Sequence, residues 1–217
     1  MVKASVDFDQ LTVKWRGSRA ADIVGANVPA MTTTASKPGR DETSRSKPVF
    51  RPADLSADRD ALFQLSVEYM LWVTQGIATH GKTEAPSLAL VERYVAEGLD
   101  QLCGRQPPEG VFYLVEWDGA LAGMCGLRQI APGVAELKRI YARPSHRGLG
   151  LGEIMLYRLI ADAAAFGYEK AVLDSAPFMH AAHRLYEAAG FTDCLPYPGS
   201  EAPQHLLGVW RFMERWL

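Results

Sequence analysis

Cysteine is scarce in this sequence. The three thiols, Cys103, Cys125 and Cys194, have neither the paired spacing of a metal site nor the even count of a disulfide framework. They read as reduced thiols of a cytoplasmic protein. Long apolar runs are missing too: none approaches the ~20 residues that cross a bilayer, which argues against a membrane partner. The N-terminus lacks the apolar core of a signal peptide, and Asp7 and Asp9 argue against a transit peptide. Neither sign of charge dominates. The net charge is -2, so there is no basic balance of the kind that binds nucleic acid or an acidic lipid surface. Two familiar phosphate loops are also missing. No lysine followed by Ser or Thr stands after the glycines at 148–152, as a P-loop requires. Glu153 occupies the place where a dinucleotide fingerprint puts its third glycine.

What is present divides near residue 48. Residues 1–47 hold eight Lys/Arg against five Asp/Glu, and residues 31–47 have no apolar periodicity. Residues 1–47 are therefore expected to be a disordered N-terminal extension. Met31 opens its polar part and offers an alternative start. Residues 48–217 suffice for one domain. Val49-Phe50-Arg51 predicts a short strand. Leu55 to about Trp72 predicts a helix with Leu62, Leu65, Tyr69 and Trp72 on one face, followed by a loop at Thr79–Lys82. A second helix is expected over Leu88–Leu102. Val111–Trp117 and Ala120–Ile130 predict a hairpin over Asp118-Gly119, a strong turn pair.

The densest signal is Tyr141-Ala-Arg-Pro-Ser-His-Arg-Gly-Leu-Gly-Leu-Gly152. An apolar-patterned strand precedes it. After it, Met155, Leu156, Leu159, Ile160 and Ala163 mark one face of a helix that ends at Phe166-Gly167. Glycines between a strand and a helix let backbone N–H groups converge without a Cβ in the way, and the helix N-terminus adds partial positive charge. The arrangement suits a phosphate or pyrophosphate. The strand before the loop breaks phase. Ala135 and Leu137 share one face, as do Ile140 and Ala142, but Leu137 to Ile140 is three residues. One extra residue near Lys138-Arg139, a β-bulge, would restore the pattern. Lys170–Asp174 then predicts a buried strand. A helix from about Pro177 to Ala189 follows, with the stripe Phe178, Ala181, Ala182, Leu185 and Ala189. A terminal strand is expected over Val209–Leu217. Strand, loop, helix, strand and helix in this order argue for an α/β domain.

Arg147-x-x-Gly150-x-Gly152 and the later Leu185-Tyr186-x-x-x-Gly190-Phe191 together resemble the GNAT superfamily of acyl-CoA-dependent N-acetyltransferases, over about residues 48–217. The resemblance implies a mixed, mostly antiparallel central sheet flanked by helices, with splayed strands forming the acyl-CoA cleft. It implies acetyl-CoA as co-substrate, an amine acceptor of a small molecule, peptide or protein, and no metal. It leaves a homodimer open. It assigns cofactor contacts to Ile140, Tyr141 and Ala142 through main chain, and to Arg147, Gly148, Leu149, Gly150, Leu151 and Gly152 at the pyrophosphate. Many relatives carry an asparagine seven residues before the tyrosine; here Met179 stands there, so that contact is not transferred.

Direct acetylation of an amine needs a base, because at pH 7 only about one lysine-like amine in a thousand is neutral. Glu136 is the candidate, since relatives place a carboxylate on this strand; a salt bridge to Lys138 is its plainer role. Asp174 is an alternative base, although its position before a helix also fits a cap. Tyr186, at the edge of the helix stripe, is the candidate donor to the departing thiolate. His180, His183 and Glu187 share one side of that helix and read better as a solvated face than as a zinc site. His80 and Glu84 are expected in the loop between the first two helices. A non-catalytic acyl-CoA-binding or sensing module on the same fold is the alternative function.

Overall fold

The computed structural model describes residues 47–217; the expected extension over residues 1–47 lies, but for Lys47, outside them. The chain forms β1 (Val49–Pro52), α1 (Arg59–Gly81), α2 (Leu88–Cys103), β2 (Gly110–Trp117), β3 (Ala120–Ala131), β4 (Val134–Ala142), α3 (Leu151–Ala165), β5 (Lys170–Ser175), α4 (His180–Ala188), β6 (Thr192–Asp193) and β7 (Arg211–Trp216). The strands make one sheet in the order β1-β2-β3-β4-β5-β7-β6. Every neighbouring pair is antiparallel except β4 and β5. This is the mixed, mostly antiparallel architecture the resemblance implied. Among the described residues no helix is long and apolar enough to cross a membrane.

Helices cover both faces, so β2 is buried along most of its length and its alternate residues enter two different cores. Val111, Tyr113 and Val115 pack with Met155, Leu156 and Leu159 of α3. Phe112 and Leu114 pack with Leu62, Leu65 and Met70 of α1 and with Val91 and Val95 of α2. Asp118 and Gly119, both at positive φ, turn β2 into β3 as expected.

Two helices differ from expectation. α1 continues to Gly81 because Val73, Thr74, Ile77 and Ala78 extend its buried stripe; Lys82 in the left-handed conformation ends it. His80 is thus in the last turn of α1, and only Glu84 is in the connection to α2. α4 starts three residues later than expected, and its buried residues are His183 and Tyr186. Of the expected stripe, Ala182, Leu185 and Ala189 pack on the core and Ala181 is exposed; Phe178 lies before the helix and packs against Trp72 of α1.

β3 and β4 approach closely at one point. A Cβ on Gly123 would collide with the backbone carbonyl of Tyr141, an atom held by the strand pair. Gly123→Ala should therefore lower the unfolding free energy by about 1–3 kcal/mol, as overpacking does, measured by urea denaturation.

Candidate active site

β4 pairs with β5 through three positions only, Val134 with Lys170, Ala135 with Ala171 and Glu136 with Val172. Past Glu136 the strands part, and among the described residues, 137–142 keep only β3 as a strand partner. Against β3 the register runs from Lys138 opposite Gly126 to Tyr141 opposite Met124, so β4 holds one extra residue. The bulge falls at Arg139, whose φ is 54°, where the phase break placed it. The β5-facing backbone of the divergent stretch is left without a strand partner.

A cleft of about 90 Å³ fills the parting. Glu136, Ile140 and Tyr186, from three separate predictions, line it together with Asp174. Tyr69 and Trp72 of α1 form a wall against Tyr141, with ring centroids 5.7 and 6.2 Å away. Tyr186 is buried at the centre of α4's inner face rather than at its edge, and its ring meets Phe191. Desolvation, with small contributions from Tyr69 and Asp174, raises its pKa above the usual phenol range, so the hydroxyl remains a donor.

The glycine loop leads from the end of β4 to α3. Gly148 and Gly150 both have φ of 78°, and Gly150 is the N-cap of α3. It brings no side chain to cap the helix, so the first N–H groups are not spent on one. Leu151 is buried and anchors this turn, while Leu149 is exposed. At Gly152 a Cβ would meet only Leu185, at 3.7 Å. Arg147 donates from Nε to the Ala142 carbonyl at 3.3 Å and lies over the Trp72 ring at 5.2 Å. The bulged strand lines the cleft through Arg139 and Ile140 and runs on through Tyr141 and Ala142 toward the glycine loop and the helix end.

Glu136 is buried, and its Oε2 lies 2.6 Å from Arg128 Nε and 3.4 Å from Lys138 Nζ. The Tyr197 hydroxyl donates to Oε1 at 3.1 Å. Asp174 is not a helix cap; Met179 holds the α4 N-cap position. Asp174 accepts from the Ser200 hydroxyl at 2.8 Å, the Trp210 indole at 3.0 Å and the Tyr197 hydroxyl at 3.4 Å. Tyr197, Ser200, Glu201 and Trp210 belong to a stretch between β6 and β7 broken by Pro196, Pro198, Gly199 and Pro203, with no periodicity to reveal it. His183 faces inward, its Nε2 3.1 Å from the Ser175 hydroxyl, and Glu187 pairs with Arg211. Burial, then Arg211 and His180, lower the His183 pKa.

Glu201 gathers three cations: Lys138 at 2.5 Å, Arg139 at 3.0 Å and Arg128 at 3.8 Å. Burial alone would raise its pKa, but Lys138, Arg139 and Arg128 override that and hold it well below the usual carboxylate range.

The acetyltransferase (GNAT) family model matches residues 78–191, just over half of the chain. An uncharacterized N-acetyltransferase of Schizosaccharomyces pombe is 33% identical over 99 residues, which cover 45% of this chain and 61% of that relative. The chain therefore spans less than two thirds of the relative's length. Two solved structures share the fold. The PaiA N-acetyltransferase of Thermoplasma acidophilum, in complex with coenzyme A, superposes with a TM-score of 0.58 at 18% identity, over 79% of this chain and 99% of that one. Spermidine N-acetyltransferase of Vibrio cholerae, in complex with CoA and spermine, gives 0.52 at 17% identity, over 78% and 95%.

A carboxylate held below its ordinary pKa contributes stability above the ordinary value and loses it as the pH falls. Glu201→Gln should lower the melting temperature at pH 7. The gap to the unaltered protein should narrow as the pH drops below about 4.5, the unperturbed value, in melting curves taken from pH 7 to pH 3.

Proposed function

We propose, from the premise that this chain belongs to the GNAT acetyltransferase family, that it transfers the acetyl group of acetyl-CoA to a primary amine by direct attack in a ternary complex, in the cytoplasm. The observation that carries this is the parting of β4 from β5 beside Tyr186, on a strand that leads to the uncapped helix end at Gly150. The residues present fit the co-substrate. Backbone N–H groups at Gly150–Gly152 suit a pyrophosphate, and the unpaired edge of β4 around Ile140, Tyr141 and Ala142 suits an amide-bearing arm. Arg147, Gly148, Leu149 and Leu151 complete the loop.

Acetyl-CoA would supply the acyl group in an activated, thioester form. The protein's own tasks are then to hold the carbonyl, receive the amine's proton and donate to the departing sulfur. A backbone N–H near Ile140, on the free edge of the bulged strand, would donate to the carbonyl oxygen as it gains charge. Glu136 would accept the proton from its Oε1 side, where Tyr197 is its neighbour. Arg128 and Lys138 occupy its Oε2 side. Asp174, held by neutral donors in the same cleft, is the second carboxylate able to take this part. Tyr186 would donate its hydroxyl proton to the thiolate.

Coenzyme binding is tested by a pair of alanine variants. Gly150 and Gly167 are both at positive φ with open space at the Cβ position. Alanine at either costs about 1–2 kcal/mol of backbone strain. Gly150→Ala should also weaken CoA binding in calorimetry by at least ~10-fold, about 1.4 kcal/mol, while Gly167→Ala should not. Equal affinities in the two variants would remove the loop from the binding site.

Tyr186→Phe removes one oxygen from a packed ring. CoA affinity should hold and turnover should fall by ~10-fold or more if the hydroxyl acts mainly in the transition state. Glu136→Gln should slow transfer by ~10²–10⁴ at unchanged CoA affinity. A fall of that size in Asp174→Asn alone would move the base to Asp174, and unaltered turnover in Tyr186→Phe would leave water to protonate the sulfur.

A further inference from the structure

A second, larger cavity of about 600 Å³ adjoins the cleft, within the size range of small-molecule sites. α1, α2, the end of β3 and residues 198–204 enclose it. Arg139 and Glu201 line both spaces, so the two meet at that ion pair. A group reaching from the larger cavity toward Tyr186 would pass this pair.

The two spaces differ in charge. Arg105, Arg128 and Arg139 line the larger cavity, with Glu97 and Glu201. Glu97 is exposed on α2. Glu201 is already shared among Lys138, Arg139 and Arg128, and Glu136 is taken by Arg128 and Lys138. Among the described residues, three largely buried cations, Arg128, Lys138 and Arg139, are thus served by two carboxylates. An uncompensated buried cation is costly, and an anion relieves the cost. Asp174, by contrast, lines the cleft and not the larger cavity, and neutral donors hold it. Lys138 and Arg139 line the cleft as well, but against three carboxylates, Glu136, Asp174 and Glu201, so the balance runs from positive in the larger cavity to negative where the amine must arrive.

We infer that the acceptor is an amine that also carries an anionic group, a carboxylate or a phosphate, seated among Arg105, Arg128 and Arg139. This rests on the acetyltransferase proposal and names the class of its second substrate. Arg128 is suited to the task. It spends Nε on Glu136 and Nη2 on the Gly199 carbonyl, out of a fork of five N–H donors whose plane matches carboxylate and phosphate oxygens. Arg105, on the rim, donates to the Gln129 carbonyl at 3.3 Å. A simple diamine would instead bring its second ammonium against three guanidinium groups.

The test compares matched amines as acceptors of acetyl-CoA: β-alanine with β-alaninamide, L-lysine with cadaverine, and O-phosphoethanolamine with ethanolamine. The anionic member of at least one pair should show kcat/KM at least ~10-fold higher, and the responding pair tells carboxylate from phosphate. Equal rates, or faster neutral amines, overturn the inference while leaving the acetyltransferase proposal standing. If none of the six reacts, their binding to the CoA-bound protein is measured by calorimetry. Tighter binding of anionic members supports the inference; equal or undetectable binding overturns it. Failure to bind CoA itself would instead strike the acetyltransferase proposal. Arg128→Gln should erase the preference, but it also strands Glu136 and can compromise folding. Arg105→Gln is therefore the second variant, and should raise KM for the anionic amine several-fold without moving that of its neutral partner. A preference unchanged in folded Arg105→Gln protein overturns this seat for the anion.

Discussion

The parting of β4 from β5 after Glu136 governs the rest of the molecule. A parallel pair normally continues until one strand ends. Here β4 runs on for six residues without β5, and the bulge at Arg139 turns it aside. A non-glycine residue at positive φ costs about 1–2 kcal/mol and persists only where its surroundings hold it. Those surroundings are visible. The Arg139 guanidinium lies 4.9 Å from the centre of the Tyr69 ring and pairs with Glu201. Residues between β6 and β7 thus secure a distortion in the middle of the sheet.

The same segment supplies much of the cleft's polar chemistry. Tyr197 bridges Glu136 and Asp174 through one hydroxyl; burial first, then the two neighbouring carboxylates, raise its pKa well above the phenol range. Arg128 ties Glu136 to the Gly199 carbonyl. The two carboxylates therefore sit in different settings a few side chains apart, one between cations and the other among neutral donors.

Local periodicity revealed the elements whose packing is local. The bulge was legible because Leu137 and Ile140 cannot share a face at period two. The hairpin was legible in Asp118-Gly119, and α3 in its stripe from Met155 to Ala163. Periodicity failed where long-range contacts decide. α1 runs past Trp72 because Val73 and Ile77 meet a core built largely by other elements. α4 turns His183 and Tyr186 inward beside Ala182, Leu185 and Ala189, and His183 meets a partner no helix period reveals, Ser175 at the end of β5. Glu136 was found, but Arg128 and Tyr197 were not. One comes from the neighbouring strand and the other from an aperiodic segment 61 positions away, and no sequence spacing links them.

Mechanically, this sheet is two plates riveted along a short seam. β1 to β4 form one plate, β5, β7 and β6 the other, and three residue pairs join them. An extended ligand laid in the gap would act as a missing strand, satisfying backbone groups on the exposed edge of β4. Occupancy would then brace the whole scaffold, since whatever binds the folded form alone adds its binding free energy to folding. In such a molecule, holding the ligand and holding the sheet together are the same act.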